Sequence, residues 1–181
     1  MVNWAKVARR IRVPLGFAFA ALYLWLAHPT RKSLLLGVVL VAMGLALRGL
    51  ASGYVQKNEQ LTTTGPYAYT RNPLYLGSLI LAIGFAIAAR SFWVAFLLVI
   101  LFLAIYLPVI RAEEKYLEEH FPEFASYAGR VPRMLPRLTP SGYHGGQFSW
   151  ALYWKHREYN ATLGSAAIFA ALVAKVAGVF R

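Results

Sequence analysis

Apolar segments of bilayer length constrain this chain more than any other feature. Short polar stretches separate five of them, which cover approximately residues 13–27, 33–53, 74–89, 91–110 and 162–180. A helix that crosses the hydrocarbon core needs about 20 apolar residues, within a range of about 17 to 25. Because backbone polar groups find no water inside a bilayer, such segments are expected to be helical. The sequence therefore predicts an all-α, polytopic transmembrane bundle of about five spans, with residues 1–181 forming a single membrane domain.

Composition and charge support this class of protein. Hydrophobic residues make up 59% of the chain and charged residues 14%, whereas a soluble domain has about 25% charged residues. The net charge of +12 could suggest a nucleic-acid partner, but soluble nucleic-acid binders do not carry apolar runs of this length. The absence of cysteine excludes a disulfide framework, a thiolate metal site and a cysteine nucleophile. The first apolar segment could be a signal peptide, but four more follow, which favours an uncleaved helix.

The basic residues predict the orientation of the bundle. With a cytoplasmic N-terminus and five crossings, most of the 19 lysines and arginines lie on the cytoplasmic side, as the positive-inside rule requires. The two polar segments that carry recognisable chemistry, residues 54–73 and 111–161, fall on that side too. The sequence therefore predicts a multi-pass membrane protein in which any functional site lies at the cytoplasmic boundary, with a cytoplasmic helical segment before the last span.

The stretch TTTGPYAYTRNPLYLG, residues 62–77, is too specialised for a simple connection. Asn72 is a typical N-cap residue, and Pro73 suits the first turn of a helix. The positive end of the third helix, next to Arg71, is a natural place for a carboxylate or a phosphate. The alternative is a capped helix whose arginine extends to the membrane surface.

The same stretch contains a turn and three tyrosines. Gly65-Pro66 predicts the turn. Tyr67 and Tyr69 are typical of aromatic anchors at a membrane interface. Tyr75 differs because it falls in the first turn of the third helix, beside the proposed anion site.

RAEEKYLEEHF, residues 111–121, is predicted to continue the fourth span as a helix. At 100° per residue, Glu114 shares the apolar stripe of Ile110 and Leu117, whereas Lys115 and Glu119 lie four residues apart on a solvated face. A buried carboxylate costs several kcal/mol unless it meets a cation or hydrogen-bond donors. Glu114 therefore either receives the ammonium or hydroxyl groups of a ligand, or pairs internally with Arg71, Arg130 or Arg133.

WALYWKHREYNATLG, residues 150–164, leads into the last span. Its aromatic residues predict an interfacial helix. Ionisable groups so close to a membrane favour a functional hypothesis, such as an Arg157–Glu158 or His156–Glu158 pair. The alternative is a plain aromatic belt with charged flanks.

Several common chemistries lack their patterns in this chain. There is no glycine-rich phosphate loop, the four histidines are scattered without metal-ligand spacing, and no serine lies in a nucleophile elbow. No metal site is predicted. The residues are suited to binding a zwitterionic ligand, without a nucleophile supplied by the protein.

Two motifs carry a resemblance to a known family. GPYAYTRNPLYLG at 65–77 and RAEEKYLEEHFPEFASYAGRVPRMLP at 111–136 flank an apolar hairpin. The hairpin is predicted to turn at Arg90-Ser91, because Arg90 is the only charged residue between Arg71 and Arg111. Together they resemble the isoprenylcysteine carboxyl methyltransferase and phospholipid methyltransferase group, integral membrane enzymes that use S-adenosylmethionine. The resemblance covers about residues 61–137. The chain departs from the pattern at Asn72, which replaces the histidine of the isoprenylcysteine enzymes, at Pro122, which replaces a glycine, and at Phe124, which replaces a tyrosine.

The resemblance implies S-adenosylmethionine as cofactor, with S-adenosylhomocysteine as product. Carried over position by position, it implies a cofactor site that includes Gly65, Tyr67, Arg71, Asn72, Tyr75, Gly77, Glu114, Tyr127 and Arg133. The acceptor is expected to be a membrane lipid or an isoprenoid-like molecule that enters from the bilayer. If the acceptor must lose a proton, the candidate bases are Glu113, Glu158 and His156.

Two other functions stay open at the level of sequence. An NADPH-dependent membrane reductase of related fold would need more spans and more basic residues for the 2′-phosphate. A non-enzymatic membrane scaffold would have Glu114 paired internally and would bind no cofactor. The sequence leaves open which acceptor is methylated and the oligomeric state, since helix faces rich in glycine and alanine suit packing within or between chains.

Overall fold

The structure, a computed structural model, describes residues 18–56, 59–141 and 146–179. These residues form α-helices joined by turns, with no strand among them. The helices are α1 (18–26), α2 (Arg31–Ser52), α3 (Pro73–Ala89), α4 (Phe92–Leu101), α5 (Leu107–His120), α6 (Phe124–Arg130), α7 (Trp150–Lys155) and α8 (Tyr159–Val176). A short 3₁₀ helix, Gly65–Ala68, precedes α3, and a π-helical turn, Phe102–Tyr106, joins α4 to α5.

The predicted helical membrane bundle is confirmed. Within the described residues, three stretches are long and apolar enough to cross a membrane: Arg31–Ser52, Phe92–His120 and Tyr159–Val176. The apolar helix α3 is shorter, at 17 residues. The first predicted span, 13–27, lies only partly within the described residues, where 18–26 are helical.

Helices α2 and α3 run antiparallel and pack closely through two glycine pairs. Gly37 lies opposite Gly84, and Gly44 lies opposite Gly77. A Cβ added to Gly44 would lie 2.7 Å from the carbonyl oxygen of Gly77, and one added to Gly84 would lie 2.9 Å from that of Gly37. Inside a bilayer the hydrophobic effect does not drive helices together, so close backbone packing at small residues takes its place. These pairs hold the start of α3 against α2.

The turn between α3 and α4 lies at Arg90 and Ser91, as the sequence predicted. Arg90 adopts a left-handed conformation with a φ of 48°, and the Ser91 side chain accepts a hydrogen bond from the Val94 amide to cap α4. The left-handed region is costly for a residue that carries a Cβ atom. Arg90 therefore keeps a tight turn at some conformational cost.

Replacing Arg90 tests that cost. Arg90→Gly is expected to be more stable than Arg90→Ala by about 1 kcal/mol, because only glycine adopts this conformation without a steric penalty. Thermal unfolding in detergent measures the difference. Alanine is the matched control, since both variants lose the guanidinium. Equal stabilities would contradict the conformational argument.

The fourth predicted span continues without a break from α4 through the π turn into α5 and ends at His120, so the predicted extension is confirmed. The π turn was not predicted. Its cause is Pro108, which has no N–H group and whose ring crowds the carbonyl of residue 104, so that regular α-helical bonding is interrupted just before it.

The bounds predicted for the last span, 162–180, were wrong at both ends. Helix α8 begins at Tyr159, directly after a turn at Arg157, and ends at Val176. Gly178, with a φ of 78°, and the bond from the Val179 amide to the Ala174 carbonyl end the helix. Apolar composition alone does not reveal such a terminator.

Candidate functional site

A cavity lies at the end of the bundle where α2 ends and α3 begins. Four segments line it, and their lining residues are Val55, Gln56, Gln60, Leu61 and Thr62, then Tyr67, Arg71, Asn72, Pro73, Leu74 and Tyr75, then Glu113, Glu114, Tyr116 and Leu117, and finally Phe124 and Tyr127. The cavity therefore brings together residues of both sequence motifs. Its walls are mostly apolar or aromatic, and its charged groups are Arg71, Glu113 and Glu114.

The segment after α6 holds the loop that precedes α3. The Arg71 amide donates to the Pro132 carbonyl at 2.9 Å, the Arg137 amide to the Tyr69 carbonyl at 2.9 Å, and the Ser141 amide to the Ala68 carbonyl at 2.8 Å. The Thr70 hydroxyl also donates to the carbonyls of residues 133 and 134. Because these are mostly backbone bonds, they position the loop whatever its side chains are. They bring Arg71 and Asn72 to the cavity wall.

Glu114 is the centre of a buried polar cluster. It is 7% exposed, which confirms that it points inward. Its Oε1 accepts from Asn72 Nδ2 at 3.0 Å, and its Oε2 accepts from Arg133 Nε at 2.8 Å and Nη2 at 2.7 Å. Arg71 Nε lies 3.6 Å from Oε1. Of the internal partners considered from the sequence, Arg71 and Arg133 are present, whereas Arg130 Nε donates to the Ser126 carbonyl instead.

The expected capping role of Asn72 was wrong in its chemistry. Asn72 does occupy the position before α3, and Pro73 begins the helix as predicted, but the Asn72 side chain makes no capping bond. Its Nδ2 donates to Glu114 and to the Arg133 carbonyl, each at 3.0 Å. A buried carboxylate without donors costs more than an open helix end. The side-chain amide of Asn72 therefore hydrogen-bonds to Glu114 instead of capping α3.

Arg71 keeps hydrogen-bonding capacity at the cavity. Its Nε is buried and finds no hydrogen-bond partner among the described residues, although nearly all buried donors in proteins are paired. The guanidinium carbon lies 5.9 Å from the centroid of the Phe124 ring, a cation–π distance. A buried donor without an acceptor, next to an aromatic wall, suits an anionic or polar ligand group.

Glu113 also lines the cavity. The Tyr75 hydroxyl donates to Glu113 Oε2 at 2.7 Å. In the described part of the chain no lysine or arginine lies within 4.0 Å of this carboxylate. Among the described residues, Glu113 therefore contributes a negative charge without an ion-pair partner to a cavity that Arg71 also lines.

Tyr67 and Tyr127 add hydroxyl groups. Burial raises the pKa of the Tyr67 hydroxyl well above its ordinary value, and the nearby charge of Glu113 raises it further. Burial also raises the pKa of Tyr127, whose hydroxyl donates to the Tyr67 carbonyl at 2.8 Å. Both phenols are therefore protonated at neutral pH. Tyr67, expected from the sequence as a membrane anchor, is buried at 8% exposure.

Three predicted cofactor residues lie outside the cavity lining. Gly65 has a φ of 58°, and a Cβ there would lie 2.6 Å from the Tyr54 ring. Gly77 packs against Gly44 and the Arg48 side chain. Arg133 donates hydrogen bonds to Glu114 Oε2 but is not part of the cavity lining. The structure thus gives the two glycines packing roles, and their contact with a cofactor stays a prediction.

Glu158 and His156, the other candidate bases, also lie outside the lining. Neither of the pairs considered for Glu158, with Arg157 or with His156, is present, because Glu158 pairs with Arg48 of α2 at 2.9 Å. His156 Nδ1 lies 3.1 Å from the Ser52 carbonyl at the end of α2. Contacts with α2, which is distant in sequence, decided these partners.

The sequence reasoning missed two parts of the site. The part of the cavity wall formed by residues 55–56 and 60–62 has no motif to reveal it. Arg48 had a signal, because it is a single arginine near the end of an apolar span, and ionisable groups in such places deserve a functional hypothesis by default. From the sequence, Arg48 contributes only to the predicted orientation of the bundle in the membrane.

The fold and the cavity define a helical membrane protein with a zwitterionic site at one end of the bundle. The chain belongs to the phospholipid methyltransferase family, whose sequence model matches residues 13–123, more than half of the chain. This confirms the resemblance found in the two motifs. The match ends before Tyr127 and Arg133, so these two members of the site lie beyond it.

Of the curated relatives, two are named as metal-resistance proteins and one as a methyltransferase. The chain is 36% identical over 127 residues to the cobalt-zinc-cadmium resistance protein CzcN of Cupriavidus metallidurans, covering 70% of this chain and 56% of that protein. It is 35% identical over 116 residues to the nickel-cobalt-cadmium resistance protein NccN of Alcaligenes xylosoxydans xylosoxydans, covering 64% and 54%. It is 27% identical over 146 residues to the protein-S-isoprenylcysteine O-methyltransferase of Schizosaccharomyces pombe, covering 75% and 60%. The chain thus spans little more than half the length of the curated relatives it matches, and no solved structure matches it.

Proposed function

We propose that this chain is a membrane methyltransferase that uses S-adenosylmethionine to methylate a lipid or another membrane-partitioned acceptor at the cytoplasmic boundary. One observation carries the proposal. The cavity is lined by Arg71, whose Nε has no hydrogen-bond partner among the described residues, and by Glu113, whose carboxylate pairs with none of the described lysines or arginines. A zwitterion with both a carboxylate and an ammonium group would satisfy both. Membership of a methyltransferase family supports methyl transfer as the reaction.

The donor set fits S-adenosylmethionine. Arg71, at the positive end of α3, would hold the cofactor carboxylate. Glu114 Oε1 has spare acceptor capacity beside the Asn72 amide and would receive an ammonium or a ribose hydroxyl. Leu61, Leu117 and Phe124 offer an apolar and aromatic surface for an adenine ring. When bound, the cofactor supplies an electrophilic methyl group on a sulfonium.

The residues of the chain contribute alignment, exclusion of water and removal of a proton. In-line transfer to carbon needs the reacting atoms about 3 to 3.5 Å apart, so rigid walls matter more than a nucleophile. Glu113 is our candidate base for an acceptor that must lose a proton. The Tyr75 hydroxyl fixes its Oε2, which leaves Oε1 free to accept a proton.

The proposed orientation follows the charges. The cavity lies at the end of the bundle where most lysines and arginines are found in the sequence, which by the positive-inside rule is the cytoplasmic end. A water-soluble cofactor would then arrive from the cytoplasm, while a lipid acceptor would enter from the bilayer.

The test is calorimetric titration of the detergent-purified protein with S-adenosylhomocysteine, with NADPH as the comparison. We expect binding of the former on the order of micromolar, or about −8 kcal/mol. We expect Arg71→Ala to weaken it about 10- to 100-fold, because a hydrogen bond to a charged group contributes about 1.5–3 kcal/mol. Arg130→Ala is the matched control, since Arg130 lies on the exposed side of α6.

Two outcomes would overturn the proposal. Binding of NADPH alone would favour the reductase. If neither ligand bound to folded protein, the internal pairing of Glu114 would be purely structural, as a membrane scaffold would have it.

A further inference from the structure

A second charged cluster lies beside the cavity, where α2, α3 and α8 meet. Arg48 Nε and Nη2 donate to the carboxylate of Glu158, at 3.1 Å and 2.9 Å. The two side chains are 21% and 12% exposed. Glu158 occupies the N-cap position of α8, where the helix dipole favours a negative charge. The pair therefore joins the end of one membrane helix to the start of another.

The remaining nitrogen of Arg48 reaches α3. Arg48 Nη1 donates to the Ser78 hydroxyl and lies 3.5 Å from the Leu74 carbonyl. Its aliphatic stem packs on Gly77, where an added Cβ would lie 2.7 Å from Arg48 Cγ. Leu74 and its neighbour Tyr75 line the cavity. One guanidinium thus connects α8 to the turn of α3 that forms the cavity wall.

The chain adopts an unfavourable conformation to make this connection. Arg157, directly before Glu158, has a φ of 55°, a left-handed conformation that is rare for a residue with a Cβ. A residue keeps such a strained conformation where the contacts of the surrounding structure fix its backbone. Here His156 contacts the Ser52 carbonyl on one side, and Glu158 contacts Arg48 on the other.

We propose that Arg48 and Glu158 are positioning residues, whose ion pair fixes the first turn of α3 and so keeps Leu74 and Tyr75 in the geometry that binds the cofactor. Glu158 acts through Arg48 and does not touch the reacting atoms. Both carboxylate oxygens of Glu158 accept hydrogen bonds from Arg48, and Glu158 is not among the lining residues of the cavity, so we do not assign it as the base. The inference rests on the proposed function only in naming the cofactor.

A double-mutant cycle tests this coupling. Arg48→Gln and Glu158→Gln are each expected to weaken S-adenosylhomocysteine binding about tenfold, and the double variant is expected to bind no more weakly than Arg48→Gln, since residues that share one interaction are not additive. The matched control is the exposed pair of Lys155 and Glu59, 3.4 Å apart. Neutralising either of these residues should leave the affinity unchanged.

A second measurement needs no cofactor. Hydrogen exchange in residues 73–78 and at the start of α8 is expected to be faster in Glu158→Gln than in the wild type, and unchanged in Glu59→Gln. Ser78→Ala, which keeps the ion pair but removes one bond to α3, should speed exchange in α3 only. It provides the test if the charge variants do not fold.

The outcomes separate this inference from the proposed function. Affinity losses that add fully in the double variant, or wild-type exchange in both Glu158→Gln and Ser78→Ala, would overturn it. A Glu158→Gln variant with wild-type affinity but without the acidic limb of the pH–rate profile would also overturn it, because the rate rises on that limb as a general base loses its proton. Wild-type protein that binds no S-adenosylhomocysteine contradicts the proposed function, while the exchange measurement still decides whether Arg48 and Glu158 position α3.

Discussion

Glu114→Ala is expected to lose S-adenosylhomocysteine binding and to lower the free energy of unfolding by about 3 kcal/mol. The alanine would leave Arg133 and Asn72 without their shared hydrogen-bond acceptor, and Arg71 without its ion-pair partner. Removing one partner of a buried ion pair typically costs about 3–5 kcal/mol. The lower end applies because the Arg133 side chain is 46% exposed and can be hydrated. Thermal unfolding in detergent gives the stability, and calorimetry gives the affinity.

Two further variants show which property of Glu114 matters. Glu114→Gln keeps the shape and one acceptor oxygen, so we expect a smaller loss of stability but still a clear loss of affinity. Glu119→Ala is the matched control on the same helix, because Glu119 is 57% exposed and pairs only with Lys115 at 3.7 Å. Exposed pairs of this kind contribute about 0.3–0.5 kcal/mol. If Glu114→Ala behaved like Glu119→Ala in both measurements, the buried cluster would have no role in the site.

Gly44→Ala is expected to destabilise the protein by about 2–3 kcal/mol, the upper part of the range for overpacked interiors. The added methyl would lie 2.7 Å from the Gly77 carbonyl oxygen and 2.9 Å from Leu81 Cγ. Backbone atoms cannot rotate away as a side chain can, so α2 and α3 must separate. Because α3 carries the cavity wall at its first turn, affinity for S-adenosylhomocysteine should fall as well. Thermal unfolding and titration of the same preparation measure both effects.

Gly164→Ala provides the comparison for this packing argument. Gly164 is also helical, but an added Cβ there meets nothing within 4 Å. Alanine is a better helix former than glycine by about 1 kcal/mol, so this variant should be neutral or more stable. Destabilisation of similar size in both variants would show that the effect comes from helix propensity or the detergent, and not from the contact between α2 and α3.

The two glycine pairs and the two charged clusters have complementary roles. Close approach of α2 and α3 brings Arg48 within reach of Ser78 and Leu74. The loop before α3 then presents Arg71 and Asn72 to Glu114 of α5. Disturbing the glycine contact should therefore affect both clusters, whereas disturbing one cluster should leave the α2–α3 contact in place.

Features that depend on local sequence were predictable. The apolar runs predicted α2, α3 and the start of α4 to within a few residues, because spanning a bilayer restricts a segment to a helix of known length. The turn at Arg90 followed from the single charge between two apolar runs. The inward direction of Glu114 followed from helical periodicity in α5, since its stripe is shared by Ile110 and Leu117.

Partners across the bundle were not predictable from the same patterns. Asn72 meets Glu114 across 42 positions of sequence, and Arg48 meets Glu158 across 110. No local sequence pattern indicates that the side chain of an asparagine in an N-cap position will donate a hydrogen bond to a carboxylate distant in sequence. The cavity wall at residues 55–56 and 60–62 likewise depends on where these residues lie against α5 and α6.

The sequence alone thus determined a helical membrane protein with its polar chemistry at one end, and the family to which its motifs belong. These properties depend on hydrophobicity, periodicity and short motifs, which are local in the chain. Only the tertiary structure decided that Glu114 is held by Asn72 and two arginines, that Glu113 lacks a cationic partner among the described residues, and that Glu158 binds Arg48. The physical reason is that a buried charge takes whichever partner the packed helices bring within hydrogen-bonding distance, and that choice depends on packing between segments far apart in sequence.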